Sequence, residues 1–125
     1  MTLQKALVVD DSRLARVALS KLLTRRNLDV DVAGSGQEAL EYLRQQAPDV
    51  VFIDYMMPVM DGVQATYAIR EFERLNDLPQ TPIIALTANA MHNEVRRGKQ
   101  AGFDDYLTKP ISVDELLATL KTHLR

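Results

Sequence analysis

The sequence of 125 residues predicts an α/β layered fold in which helices cover both faces of a mostly parallel five-stranded sheet. Three observations carry that expectation. Short runs rich in β-branched residues recur about five times along the chain. Longer stretches of helical period separate them, as parallel crossovers require. The runs are almost continuously apolar, Val50-Val51-Phe52-Ile53 above all, and each gives way to polar residues, among them Asp10-Asp11, Asp54, Thr87 and Lys109.

Residues 6–9, 30–33, 50–53, 83–86 and 106–107 are the predicted strands. Helix starts are read from caps at Ser12, at Ser35 with Glu38 in a capping box, at Asp61 before Gly62, and at Ser112 with Glu115 in a second box. Each helix has one apolar stripe to bury: Leu14, Val17, Ala18 and Leu22 in the first, Ala39, Leu40 and Leu43 in the second, and Leu116, Leu117, Leu120 and Leu124 in the last. The longest predicted loop, 75–82, is polar and proline-bounded. The doubly wound, flavodoxin-like rule then gives strand order 2-1-3-4-5, with the switch point between the first and third strands.

Composition bounds the rest. The length and the 46% hydrophobic content suit one module spanning 1–125 with one core. With 15 basic and 17 acidic residues mixed along the chain, the net charge of -2 argues against direct nucleic-acid binding. The absence of cysteine excludes disulfides, thiolate chemistry and cysteine-ligated zinc. No apolar stretch approaches a membrane span and the N-terminus leads straight into a strand, so a cytoplasmic protein is expected.

Parallel strands would bring Asp10, Asp11 and Asp54 to one sheet edge, with Lys109 ending a later run on the same side. Carboxylates about 5 Å apart repel by roughly 3 kcal/mol per pair at an effective dielectric near 20, so such a cluster calls for a cation. Oxygen donors suit Mg²⁺, with Mn²⁺ as a substitute, and His92 and His123 lack the spacing that softer metals need. Asp54, ionised at neutral pH, can attack phosphorus without a general base. Lys109 would supply a positive charge and Thr87 a hydrogen bond to the phosphoryl group.

These residues sit in segments that resemble the receiver domain of two-component response regulators, most closely those of hybrid kinases and phosphorelays. The matching stretches are Val8-Val9-Asp10-Asp11-Ser12, the run from Phe52 through Asp54, Met56, Met57 and Pro58 to Asp61-Gly62, Ile84-Ala85-Leu86-Thr87-Ala88, and Asp104-Asp105-Tyr106-Leu107-Thr108-Lys109-Pro110. The resemblance implies Asp54 as the phosphorylated aspartate, and Asp10, Asp11, Asp54 and the backbone carbonyl of Met56 as Mg²⁺ ligands. It also implies Thr87 and Tyr106 as switch residues and a cis Lys109–Pro110 bond. The implied donor is a sensor histidine kinase or histidine phosphotransfer domain docking over Arg13, Leu14, Val17 and the Pro110-Ile111 loop. The readout would pass to a downstream protein partner through the helix between the fourth and fifth strands, the fifth strand and the last helix. The chain would catalyse only its own phosphotransfer and slow autodephosphorylation, with Met56 and Asn89 setting the latter rate. The alternative is a receiver-like binding module that works without phosphorylation.

Overall fold

The computed structural model describes residues 3–88 and 101–124. Within them, strands β1 (Lys5–Val9), β2 (Asp29–Ala33), β3 (Val50–Asp54), β4 (Ile83–Thr87) and β5 (Asp105–Thr108) alternate with helices. These helices are α1 (Arg13–Thr24), α2 (Gly36–Gln45), α3 (Gly62–Leu75) and, after β5, α4 (Val113–His123). All pairings are parallel and the order is β2-β1-β3-β4-β5, as the doubly wound rule predicts. Among these residues no helix is long and apolar enough to cross a membrane.

Strand alternation divides the core. Leu7, Val9, Val51, Ile53, Ile83 and Ala85 pack against α2 and α3 on one face, with Phe103 closing that layer. Ala6, Val8, Val50, Phe52, Ile84 and Leu86 pack against α1 and α4 on the other. The three central strands are buried on both faces, which is why their sequences read as unbroken apolar runs.

Helix α1 departs from its predicted stripe. Leu19 and Leu23 are buried, each burial worth roughly 1.5–3 kcal/mol, and Leu22 is half-buried. Leu14 is 84% exposed and Val17 42%, with Ala18 exposed beside them. The helix carries apolar residues around more than half its circumference, so periodicity alone cannot choose the inner face.

The caps form where expected, with one redistribution. Ser12, Ser35 and Ser112 accept from the backbone N–H groups of Ala15, Glu38 and Glu115. The Glu38 carboxylate reaches past the cap to Gly34 N at 2.6 Å, and Glu115 returns no side-chain bond to Ser112. Neither is therefore a reciprocal box. The reciprocal box is at Asp61 and Gln64, where both bonds are made and α3 starts immediately after the β3 loop.

Candidate functional site

The C-terminal ends of β1, β3, β4 and β5 lie level. Val9 pairs with Ile53, Asp54 with Leu86, and Thr87 with Thr108, so the residues following or ending these strands share one edge. Asp10 follows β1, Asp54 ends β3, Thr87 ends β4 and Lys109 follows β5. Lys109 N donates to the Thr87 carbonyl at 2.8 Å and Tyr55 N to that of Leu86, which ties the loops leaving the sheet to its edge.

Asp10 and Asp54 are buried, at 1% and 7% exposure, and Asp11 faces solvent. Each of the three offers a carboxylate oxygen, and those atoms lie within 4.8 Å of one another. Lys109 Nζ stands 3.2 Å from Asp10 Oδ2 and 3.2 Å from Asp54 Oδ1. One ammonium thus serves two buried carboxylates. Ser12 N also donates to Asp10 Oδ1 at 2.9 Å, whereas Met56 N reaches Asp54 Oδ1 only at 3.4 Å.

The electrostatics follow from that imbalance. Burial and then the neighbouring Asp10 charge push the Asp54 carboxyl above its ordinary pKa, against the opposing pull of Lys109. Burial works against the Lys109 charge, but the Asp54 and Asp10 carboxylates outweigh it and hold the ammonium above its usual pKa. Hard oxygen donors with a surplus of negative charge fit Mg²⁺, which binds through one or two carboxylates and keeps room for water and phosphate oxygens. Asp10, Asp11 and Asp54 are the groups that could hold it, and the exposed Met56 lies two residues beyond Asp54 on the same rim.

The β3–α3 loop is held close to the nucleophile candidate by Gly62, which donates to the Tyr55 carbonyl at 2.9 Å. A Cβ there would lie 2.5 Å from the Asp54 carbonyl oxygen, so only glycine permits this approach. Thr87 is buried beside the site. Tyr106, half-buried on β5, meets the Phe103 ring edge-on at 5.8 Å, and burial followed by the nearby Tyr55 raises its hydroxyl pKa. The Lys109–Pro110 bond is cis, as the motif implies.

All of the predicted strand-end residues are thus brought together. Leu14, Val17 and Pro110 are exposed and Ile111 is half-buried; Val17 lines the β2 flank of α1, whereas Pro110 and Ile111 line the cleft that reaches Asp10 and Lys109. Asn89 and the helix predicted between β4 and β5 lie outside the described residues, apart from Ala101 at its end. Two features escaped the sequence reading. Arg16 Nη1 donates to the Asp10 carbonyl at 2.7 Å, and His123 pairs with Asp105 Oδ2 at 3.1 Å. Both are contacts between residues whose spacing matches no motif, and the first ends on a carbonyl that every residue has.

Comparison with known proteins agrees with this geometry. The family model described as "Response regulator receiver domain" matches residues 6–121. The sensor protein GacS of Pseudomonas syringae is 44% identical over 90% of this chain but only 12% of its own length, and the chain spans half or less of the curated relatives it matches. Among solved structures, chemotaxis protein CheY4 of Vibrio cholerae superposes with a TM-score of 0.90 at 33% identity, over 98% of this chain and 100% of that one. The receiver domain of sensor histidine kinase PA1611 from Pseudomonas aeruginosa, with magnesium coordinated in its active-site cleft, gives 0.86 at 33% identity, over 98% of both chains. The receiver domain of Ssk1 from Saccharomyces cerevisiae, solved with the histidine phosphotransfer protein Ypd1, gives 0.89 at 27% identity, over 97% of this chain and 88% of that one. Strand order, acidic edge and sequence agree, and the chain belongs to the response regulator receiver domain family of two-component signalling.

Proposed function

We propose that Asp54 is the phosphoacceptor of a two-component or phosphorelay switch. The observation that carries this is the position of Lys109 Nζ, 3.2 Å from both Asp54 and Asp10, at an edge that gathers three carboxylates. An Asp54 carboxylate oxygen attacks phosphorus, the P–N bond of a phosphohistidine breaks, and its electron pair returns to the imidazole of the donor. A new P–O bond leaves an acyl phosphate on β3.

Asp10, Asp11, Asp54 and the Met56 carbonyl would hold Mg²⁺, in line with the magnesium in the PA1611 cleft. When bound, the ion offsets the carboxylate charge and stabilises the negative charge of the transferring group. Lys109 exchanges its contact with Asp54 for one with the phosphoryl oxygens, and the Thr87 hydroxyl donates to the same group. Thr87 moving toward the phosphate opens room for Tyr106 to turn inward. The added charge of about -1.5 to -2 biases that equilibrium only through contacts that differ between its two states.

The donor is a histidine kinase or a histidine phosphotransfer protein, the latter being the kind of partner seen with the Ssk1 receiver. It docks over Arg13, Leu14, Val17 and the Pro110-Ile111 loop, where apolar side chains border the site. The readout passes to a downstream protein through the face that includes β5 and α4. The chain acts in the cytoplasm and catalyses only its own phosphorylation and slow hydrolysis.

Incubation with a small phosphodonor and Mg²⁺ tests the chemistry. Wild type gains the mass of one phosphoryl group and Asp54→Asn gains none. No gain on wild type, or equal gain on the variant, removes Asp54 from this role.

A further inference from the structure

Arg13, Arg16, Lys21, Arg25 and Arg26 fall between residues 12 and 28, a stretch without Asp or Glu in a chain whose net charge is -2. Among the described residues none of the five has a carboxylate at ion-pair distance. Of the other described lysines and arginines, Lys5, Arg44, Arg70, Arg74 and Lys109 each have one and Lys121 has none. Strand alternation accounts for the difference. Val30 and Val32 of the edge strand β2 face α1, while Asp29 and Asp31 project to the opposite side, where Lys5 and Tyr42 hold them.

A groove of about 490 Å³ therefore runs between α1 and β2, with cationic walls from Arg13, Arg16, Lys21 and Arg25 and an apolar lining from Val17 and Val32. Its lining includes no acidic residue, and Val32 is 53% exposed. On the other flank of α1, a smaller cleft of about 270 Å³ leads past Ala18 and Ile111 to Asp10 and Lys109. Helix α1 thus stands between the mouth of the phosphorylation site and an uncompensated basic groove.

We propose that the phosphohistidine donor is an acidic-rimmed protein, and that its carboxylates seat in this groove while its histidine faces Asp54. The inference rests on the assignment of Asp54 as acceptor from a phosphohistidine and adds the charge of the partner. Unpaired cations beside apolar walls select a protein surface carrying carboxylates around an apolar centre, and they steer its encounter. A nucleic acid fits less well, because the cations alternate with exposed Leu14 and Val17 on a helix of an otherwise acidic chain.

The test uses one histidine phosphotransfer protein, phosphorylated on its histidine, in two forms with glutamates or lysines on the rim of its docking face that overlies the groove, away from the histidine itself. At low salt the wild-type chain takes phosphate from the glutamate form about tenfold faster. The preference reverses in Lys21→Glu/Arg25→Glu and fades toward roughly 1 M salt, where the Debye length is about 3 Å. A small phosphodonor labels wild type and the double variant equally. Equal rates from the two forms, or a preference that survives the double substitution, overturn the proposal while leaving Asp54 as acceptor. If the small donor labels neither chain, the acceptor assignment fails instead. Binding of the two unphosphorylated forms, measured by calorimetry, then decides the acidic partner by the same reversal. Tighter binding of a short DNA duplex than of the glutamate form, lost in the double variant, assigns the groove to nucleic acid and overturns the proposal.

Discussion

Two charge clusters, each built around a buried carboxylate, sit at opposite ends of the same sheet, and they are satisfied in opposite ways. At the N-terminal end, Arg70 of α3 spends five N–H contacts on Glu73, Asp104 and the carbonyls of Thr81 and Gly102. Main-chain donors return the favour. Thr81 N donates to Glu73 and Ile83 N to Asp104, both at 2.8 Å. At the C-terminal end, Lys109 bridges Asp10 and Asp54 at the longer distance of 3.2 Å; among the described residues the main chain gives Asp10 a 2.9 Å bond from Ser12 N and Asp54 a 3.4 Å contact from Met56 N. The anions are carboxylates at both ends, but the cation is a five-donor guanidinium at one and a three-donor ammonium at the other. What separates the Arg70 cluster from the proposed acceptor site is how far the guanidinium and the backbone complete the hydrogen bonds of its carboxylates, or leave capacity for a cation and an incoming phosphoryl group.

The largest effect is expected where the cluster is closed. Arg70→Met takes the guanidinium from two carbonyls and from the Glu73 carboxylate, which keeps its bond from Thr81 N but loses its counter-charge, and breaking such a buried pair costs roughly 3–5 kcal/mol. The urea midpoint should fall accordingly, while the fraction that remains folded keeps Mg²⁺-dependent labelling of Asp54. A loss below about 1 kcal/mol would mean that water replaces the guanidinium, and the contrast between the two ends would collapse.

A smaller loss with a larger functional consequence is expected at Gly62. The added Cβ of Gly62→Ala meets the Asp54 carbonyl oxygen at 2.5 Å, a main-chain contact that cannot rotate away. Overpacking of this kind costs roughly 1–3 kcal/mol. The displaced backbone carries Asp54, so the labelling rate should drop with stability. Gly36→Ala offers the control. Its nearest neighbour is the Met60 Sδ, the flexible end of a side chain, and it should lose less stability and keep its labelling rate. Equal labelling rates in the two variants would show that the loop does not position Asp54.

The strand ends were legible because buried parallel strands are unbroken apolar runs, and Asp10, Asp54, Thr87 and Lys109 interrupt them at the same edge. Alternation and capping then sufficed for the order of elements. The inner face of α1 was misread for a physical reason: Leu14, Val17 and Ala18 form as good an apolar stripe as Leu19, Leu22 and Leu23, and only packing decides between them. The Arg70 cluster was invisible because two of its four partners, Gly102 and Asp104, lie more than thirty residues away and two of the four are engaged through their carbonyls. The charges looked mixed along the chain. Folding separates them, by turning the β2 aspartates away from the α1 cations.

The smallest effect tests the open cluster itself. Without Mg²⁺, Asp54→Asn removes one of two buried like charges and keeps the Asp10 partner of Lys109, so the variant should be more stable than wild type at neutral pH. A gain of about 1 kcal/mol is expected, the part of a roughly 3 kcal/mol repulsion that Lys109 does not already offset, and for a chain of this length it corresponds to a rise of about 3–5 °C in Tm. The pH dependence has a fixed sign. The folded pKa of Asp54 lies above its ordinary 3.8, so the folded wild type binds a proton before the unfolded chain does. Wild type therefore gains stability relative to the variant as pH falls through that raised value, and the gain is complete below 3.8. Thermal melts of both proteins across this window should converge at low pH. Asp54→Asn melting below wild type at neutral pH without Mg²⁺ would show Lys109 to be more than a match for both carboxylates, and the site would then be as closed as the Arg70 cluster.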